Sequence, residues 1–502
     1  MKKIKAITSG LLAAAMALTM TACDETPATS TSDGGVAPTT STAVQTTETT
    51  TTFARNDAVA EAAGTLVDKL DNPDLEVTKK IKWMAWWDID ETTAAAELYK
   101  SAYGVPEYEA DGKTPNVDGE IFDYTSVSYS ERYDKLGSAI AADDSPDLFP
   151  FEALDFPYGV LKGRYQPIDE IIDLSTSKWE ASMDLMNQFV LNGRYYCAFY
   201  EISMNNLMYY RTSIINEIGV DDPRELFEKG EWTWDAFLDM ARKFQASGEG
   251  RYVIDGYNPE NDFVISTGTP MVGNDNGVIV SNLYDPAIER VEENMLKVLQ
   301  QEDLRYPRHE LNGWNVNPKY WADGNILFYA DGGTWVWEST ISKYAKKNGW
   351  SDDEVKVVPF PKDPQADAYY ATMKQDSLMW CKGSKNEEGV KAWIDCCATA
   401  AQDPDVKEAS IQQAIENYNW SRDNLEFIYS LTTLDGSSPL KFLIDFKGGL
   451  GTVSDGSGCE NPVQSLTNLV YLTGESYVQL RETHNPAISA AIDDINAAIA
   501  KS

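Results

Sequence analysis

The sequence predicts an α/β protein built as two lobes. Short apolar segments alternate with amphipathic ones from Lys79 onward, the pattern of strands alternating with helices. The stretch from Lys79 to Ser502 is long for one hydrophobic core and suits two. Acids and tryptophans gather where apolar segments stop, and a doubly wound, mostly parallel sheet presents its ligand sites beyond such strand ends.

Ahead of the folded part come Lys2, Lys3 and Lys5, the apolar run from Ala6 to Ala22, and Met20-Thr21-Ala22-Cys23. This is the layout of an export signal over residues 1–22. Small residues before Cys23 resemble a bacterial lipobox, in which the thiol receives a diacylglycerol and becomes the new N-terminus. Two acyl chains, at about 0.8 kcal/mol per buried methylene, hold a soluble domain on a membrane durably. The alternative is an ordinary cleaved signal with a chance cysteine, since Met20 stands where lipoproteins usually carry Leu. No other stretch approaches the ~20 apolar residues of a membrane helix.

Residues 23–56 read as the lipidated cysteine and a tether. From Thr26 to Thr52, 15 of 27 residues are Ser or Thr, too few of them apolar to offset the entropy of ordering. As a flexible coil, residues 24–56 span roughly 30 Å on average and about 100 Å at full stretch. The net charge of −37, or −40 without the three leader lysines, repels nucleic acid and anionic lipid alike, so neither is an expected partner. Five cysteines follow Cys23: Cys197, Cys381, the adjacent Cys396 and Cys397, and Cys459. Their number is odd and their spacing fits no zinc site, so buried free thiols are expected. His309 and His484 are the sole histidines, which disfavours a histidine triad or metal cluster. No metal, cofactor or catalytic residue is expected.

Lys80 to Asp88 alternates charged and apolar residues and reads as the first strand, with Trp83 in the core and Trp86-Trp87-Asp88 at its end. Ser130 is the expected N-cap of an amphipathic helix through Tyr133, Leu136 and Ile140, broken at Asp144-Ser145-Pro146. Leu148 to Phe151 is a short apolar strand followed by Glu152 and Asp155. Asn192-Gly193 between two apolar runs predicts a hairpin. Thr233 predicts a helix N-cap flanked by the structural Trp232 and Trp234. Ile488, Ile492, Ile495 and Ile499 lie on one face of a final helix.

Several of these segments, in order, resemble family 1 extracellular solute-binding proteins of the maltose-binding-protein type. Ser130 to Leu136, Ala141 to Leu148 and Gly163 to Asp169 are similar to its first lobe, and Tyr195 to Tyr210 to its crossing into the second. Glu231-Trp232-Thr233-Trp234-Asp235-Ala236-Phe237 is similar to its helix-starting signature. Gly324 to Trp335, and Val355 to Pro361 with Gly383-Ser384-Lys385-Asn386, continue the match. The sequence departs from the pattern at Tyr210 and at Ile326-Leu327-Phe328, and Glu408 to Val463 carries no motif. The resemblance implies a type II periplasmic-binding-protein-like fold: hinged lobes, three strand crossings and a ligand cleft between. It places the first lobe at 79–199 and 369–402, and the second at 204–362 and 404–502.

It also implies a carbohydrate ligand. A sugar presents apolar C–H faces and a rim of hydroxyls, so its site needs flat aromatic surfaces and fixed carboxylates or amides. Trp86, Trp87, Asp88, Glu152 and Asp155 are expected on the first wall, with Tyr129 near the mouth, though Trp86 and Trp87 also fit packing and the two acids also fit a surface. Asn205, Asn206, Gly333, Trp335 and Trp337 are expected on the second, with Trp335 at the family's sugar-stacking position. Glu201 near the hinge and Asp376 near the returning strand complete the set. The expected protein is a monomer that captures a sugar, an oligosaccharide on the abundance of aromatics, by closing. It hands the sugar to an ABC permease from the outer face of the cell membrane. Two other readings are a sugar-recognition lipoprotein for sensing or adhesion, and a secreted glycoside hydrolase, whose two carboxylates this acid-rich chain also contains.

Overall fold

A computed structural model describes residues 57–501 apart from 152–154, 257–258, 276, 313–314, 447–449, 451–465, 467–469 and 471–474. The expected leader, Cys23, its tether, Glu152 and Cys459 lie outside the described residues.

Two four-stranded sheets organise the chain. In the first, β1 (Ile81–Ala85) lies between β2 (Phe122–Ser126) and β3 (Leu148–Pro150), both parallel to it, and β15 (Leu378–Trp380) runs antiparallel on β3. The alternation of β1 buries Ile81, Trp83 and Ala85 completely. Helices α2 (Ala94–Tyr103) and Glu387–Ala401 pack together, and Phe122 of β2 meets Trp393 of the latter edge-on at 4.7 Å. The second sheet has the order β12 (Val355–Val358), β7 (Met208–Arg211), β11 (Ile326–Tyr329), β8 (Tyr252–Asp255). Here the mostly parallel expectation fails: β8 and β11 are parallel, but β7 is antiparallel to both neighbours. β7 is entered straight from the preceding strand with no crossover helix to reverse the chain.

That preceding strand, β6 (Glu201–Met204), pairs antiparallel with β14 (Met373–Asp376), Glu201 opposite Asp376 and Met204 opposite Met373. A second pair, β13 (Tyr369–Ala371) with β16 (Leu440–Phe442), is parallel. Asn192 and Gly193, at φ 52° and 73°, join β4 (Val190–Leu191) to β5 (Arg194–Tyr195), the positive-φ pair that a two-residue hairpin needs. β9 (Val272–Asp275) and β10 (Val278–Ser281) form another hairpin, on which the final helix Tyr477–Ile499 packs with Ile488, Ile492 and Ile495 buried.

Helix starts follow their caps. Thr233 accepts the Ala236 N–H at 3.4 Å and opens helix Trp234–Ala246. Trp232 and Trp234 are buried on either side, their indoles donating to the Pro359 carbonyl at 2.9 Å and Ser266 Oγ at 3.0 Å. Thr233→Ala is expected to cost about 1 kcal/mol in urea unfolding. The cap expected at Ser130 is corrected: α3 (Arg132–Ala141) starts after Glu131, which makes no side-chain cap, and Ser128 Oγ accepts the Glu131 N–H at 3.3 Å. Cys197, Cys381, Cys396 and Cys397 are buried free thiols, and loss of water raises the pKa of Cys197, Cys381 and Cys396.

Before β1, α1 (Asp57–Gly64) packs on α2 and on helix Pro404–Tyr418. The chain after it is pinned where Lys69 Nζ meets Asp403 at 2.8 Å, and where the Asp71 and Asn72 N–H groups donate to Asp395 at 2.8 and 3.0 Å. The expected lobe boundary at 402–404 falls between Glu387–Ala401 and Pro404–Tyr418, which pack on each other; the change of neighbours comes later. Trp337 Nε1 donates to the Tyr418 carbonyl at 3.0 Å and Trp337 stacks on Trp420 at 4.4 Å. Asn424 Nδ2 then donates to the Val355 carbonyl of β12 at 2.8 Å.

Candidate functional site: a cavity at the crossing strands

β1 ends at Ala85 and α2 begins at Ala94, and the segment between them supplies part of a cavity wall. Trp87 is fixed by Trp83, whose indole donates to the Trp87 carbonyl at 3.0 Å and whose ring meets it edge-on at 4.9 Å. Half-buried, Trp87 faces a cavity of about 450 Å³, within the range of small-molecule sites. Glu201 of the crossing strand β6 and Tyr200 just before it, Asp90 and Thr93 just ahead of α2, and Tyr429 in helix Arg422–Leu431 line it as well.

β6 leads from that cavity towards the second sheet. At its far end the Met204 carbonyl touches Gly333 so closely that a Cβ there would lie 2.2 Å from the oxygen. Gly332, at φ 147°, lies beneath the Trp335 indole, where a Cβ would come within 2.5 Å of Nε1. Tyr209 Oη donates to the Gly333 carbonyl at 2.8 Å and completes the seat. Trp335, half-buried, is therefore laid over backbone. The two ends of the four-residue β6 lie about 10 Å apart at ~3.3 Å per residue; Trp87 lines the cavity with Glu201 at the first, and Trp335, outside the cavity lining, lies over the glycines that meet the last.

The other expected residues divide. Trp86 lies outside the cavity lining, edge-on to Tyr129 at 5.2 Å and to Phe149 at 6.4 Å, with Arg132 over the Tyr129 ring at 3.6 Å. Asp88 is half-buried and Asn205 exposed. Asp376 is placed by its backbone, opposite Glu201. Three expectations are corrected by packing. Asp155 is buried, accepting from Arg164 at 2.5 Å and from Tyr165 Oη at 2.8 Å. Asn206 is buried too: its amide donates to Asp262 at 3.0 Å and its oxygen accepts the Gly332 N–H at 2.9 Å, so it braces the seat of Trp335. Trp337 is 3% exposed, held by Tyr418 and Trp420, and lies outside the cavity lining.

Sequence reasoning missed three groups. Tyr429 lies in the stretch without motifs, and burial, then the charges of Glu201 and Glu338, raise its hydroxyl pKa. Glu338 interrupts the aromatic run after Trp335, a visible signal, and burial pushes its carboxyl up to about 8. At the end of β8, the Gly256 carbonyl accepts from Arg308 at 2.5 Å and Arg305 at 3.3 Å, and Arg305 also pairs with the buried Glu260. A Cβ at Gly256 would meet the Ala330 carbonyl at 1.7 Å, so glycine is required there.

Among the described residues no helix is long and apolar enough to cross a membrane. No curated protein matches the chain by sequence. Solved structures share its fold. The ABC substrate-binding protein Lmo0181 from Listeria monocytogenes, in complex with cycloalternan, superposes with a TM-score of 0.54 at 14% identity, over 84% of this chain and 98% of that one. The galacto-N-biose-/lacto-N-biose I-binding protein of Bifidobacterium longum, with lacto-N-biose, gives 0.54 at 13% identity over the same shares, 84% and 98%. The sugar-binding protein MalE from Xanthomonas citri gives 0.55 at 15%, again over 84% and 98%. The family model for the bacterial extracellular solute-binding protein matches residues 102–404, more than half of the sequence, and the chain belongs to that family.

Proposed function

We propose that this protein captures a sugar, an oligosaccharide, between Trp87 and Trp335 and delivers it to an ABC permease. The observation that carries the reading is the cavity at β6 lined by the Trp87 indole and the Glu201 carboxylate, with Trp335 outside the lining by the far end of the strand. Two aromatic plates by opposite ends of a four-residue strand suit two or more linked rings better than one. Their apolar faces take C–H surfaces, and Glu201 accepts from two neighbouring hydroxyls. The two sheets with their helices act as the lobes, and β6, β14 and the segment after Tyr418 as the crossings. A ligand touching both sides favours the closed arrangement by the bonds it gains only there.

Cys23 serves as the lipid anchor on the outer face of the membrane. Cys23→Ser is expected to shift the protein from the membrane fraction to the medium or periplasm, read by fractionation and by loss of radiolabelled palmitate. The sugar reading is tested by thermal shift with a panel including cycloalternan, lacto-N-biose and maltotetraose, since a ligand bound to the native state raises the melting temperature. A rise with at least one oligosaccharide, and no new reducing ends, is the expected result. New reducing ends would make the protein a hydrolase, and no rise across a full glycan array would end the sugar reading.

A further inference from the structure

Asp262 is buried in helix Pro259–Ile265, which follows β8, and lies outside the cavity lining. Both of its oxygens are engaged: Oδ2 accepts from Asn206 Nδ2 at 3.0 Å, and Oδ1 accepts from the Thr372 hydroxyl at 2.7 Å. Asn206 follows β6 and Thr372 joins β13 to β14, so one carboxylate ties two separate crossings to a helix of the second half. The crossings also meet directly, the Asn205 N–H donating to the Thr372 carbonyl at 3.5 Å.

A side-chain amide donates from one end and accepts at the other. Because Asp262 takes a donor, the Asn206 nitrogen faces it and the oxygen is left for the Gly332 N–H, at 2.9 Å. A flipped amide would set oxygen against oxygen and nitrogen against N–H. The Gly332 carbonyl is held from the same segment, accepting the Leu207 N–H at 3.0 Å. Gly332 thus keeps φ 147° with the Trp335 indole lying against it. We propose that Asp262 is a positioning residue of the sugar site: it orients the Asn206 amide, which holds Gly332, which sets the plane of Trp335. This rests on the sugar reading above, in which Trp335 stacks on the ligand. Without touching the sugar, Asp262 then fixes the angle at which the second wall meets a ligand held at Trp87 and Glu201.

Fluorine NMR of ligand-free protein labelled with fluorotryptophan reads the seat directly, the Trp335 resonance being the one lost in Trp335→Phe. In Asp262→Ala that resonance should shift or split, while the Trp87 resonance, identified by its loss in Trp87→Phe, stays in place. The Kd for the tightest binder among cycloalternan, lacto-N-biose and maltotetraose should rise about tenfold in the same variant, the effect of one lost buried hydrogen bond. The exchanged pair, Asn206→Asp with Asp262→Asn, presents the same donors and acceptors in reverse and should restore the resonance and the Kd. If Asp262→Ala does not fold, the exchanged pair decides alone. A folded Asp262→Ala with an unmoved Trp335 resonance overturns the proposal, as does an exchanged pair that is unfolded or shows a displaced one. So does an unchanged Kd in Asp262→Ala for a sugar that binds the wild type. Failure of every sugar to bind overturns the sugar reading, while the ligand-free spectra still decide whether Asp262 positions Trp335.

Discussion

Arg305→Met is expected to lower the unfolding free energy by about 3 to 5 kcal/mol, measured as a drop in the urea midpoint at unchanged slope. Arg305 and Glu260 are both almost fully buried and ion-paired, and Glu260 Oε2 has no hydrogen-bond partner among the described residues. Methionine keeps much of the volume but leaves the glutamate charge stranded. The same change removes one of the two donors on the Gly256 carbonyl, loosening the end of β8. Its control is the double variant Arg305→Met with Glu260→Leu, which removes both charges and should recover most of the loss. If the single variant unfolds at the wild-type midpoint, the pair carries no weight in the fold.

Trp335→Ala is expected to weaken binding of the cognate oligosaccharide by about 1 to 3 kcal/mol, or roughly 5- to 150-fold in Kd, with the melting temperature of the free protein little changed. The asymmetry comes from how the ring is seated. One face rests on Gly332, whose conformation is held by Asn206 through the Gly332 N–H, so truncating the indole leaves that backbone braced. What disappears is the flat surface itself. The matching variant Trp232→Ala should behave in the opposite way, because that ring is fully buried and its loss opens a cavity in the core. An unchanged Kd in Trp335→Ala would remove this residue from the site.

How much of this was legible in the chain depended on the range of the interaction. Trp83, Thr233 and Asn192-Gly193 could be read because strand alternation, a helix cap and a two-residue turn are settled by residues a few positions apart. Trp87 could be picked out because it follows a recognisable strand, and it does line the cavity. Asp155 could not be judged: an acid beyond a strand looks the same whether it meets solvent or, as here, Arg164 and Tyr165. Asn206 and Trp337 misled for the same reason, since their partners Asp262, Tyr418 and Trp420 lie 56 or more positions away. Tyr429 and Arg305 reach their places through tertiary packing that no local pattern announces. The direction of β7 was likewise hidden, because it depends on how the crossing strand enters the second sheet.

The N-terminal segment also determines how force enters the molecule. Lys69 and the backbone of Asp71 and Asn72 are riveted to Asp403 and Asp395, and α1 lies against α2 and helix Pro404–Tyr418. A pull transmitted through residue 57 is thus borne by the half built on the first sheet. The half built on the second sheet takes no part in those contacts.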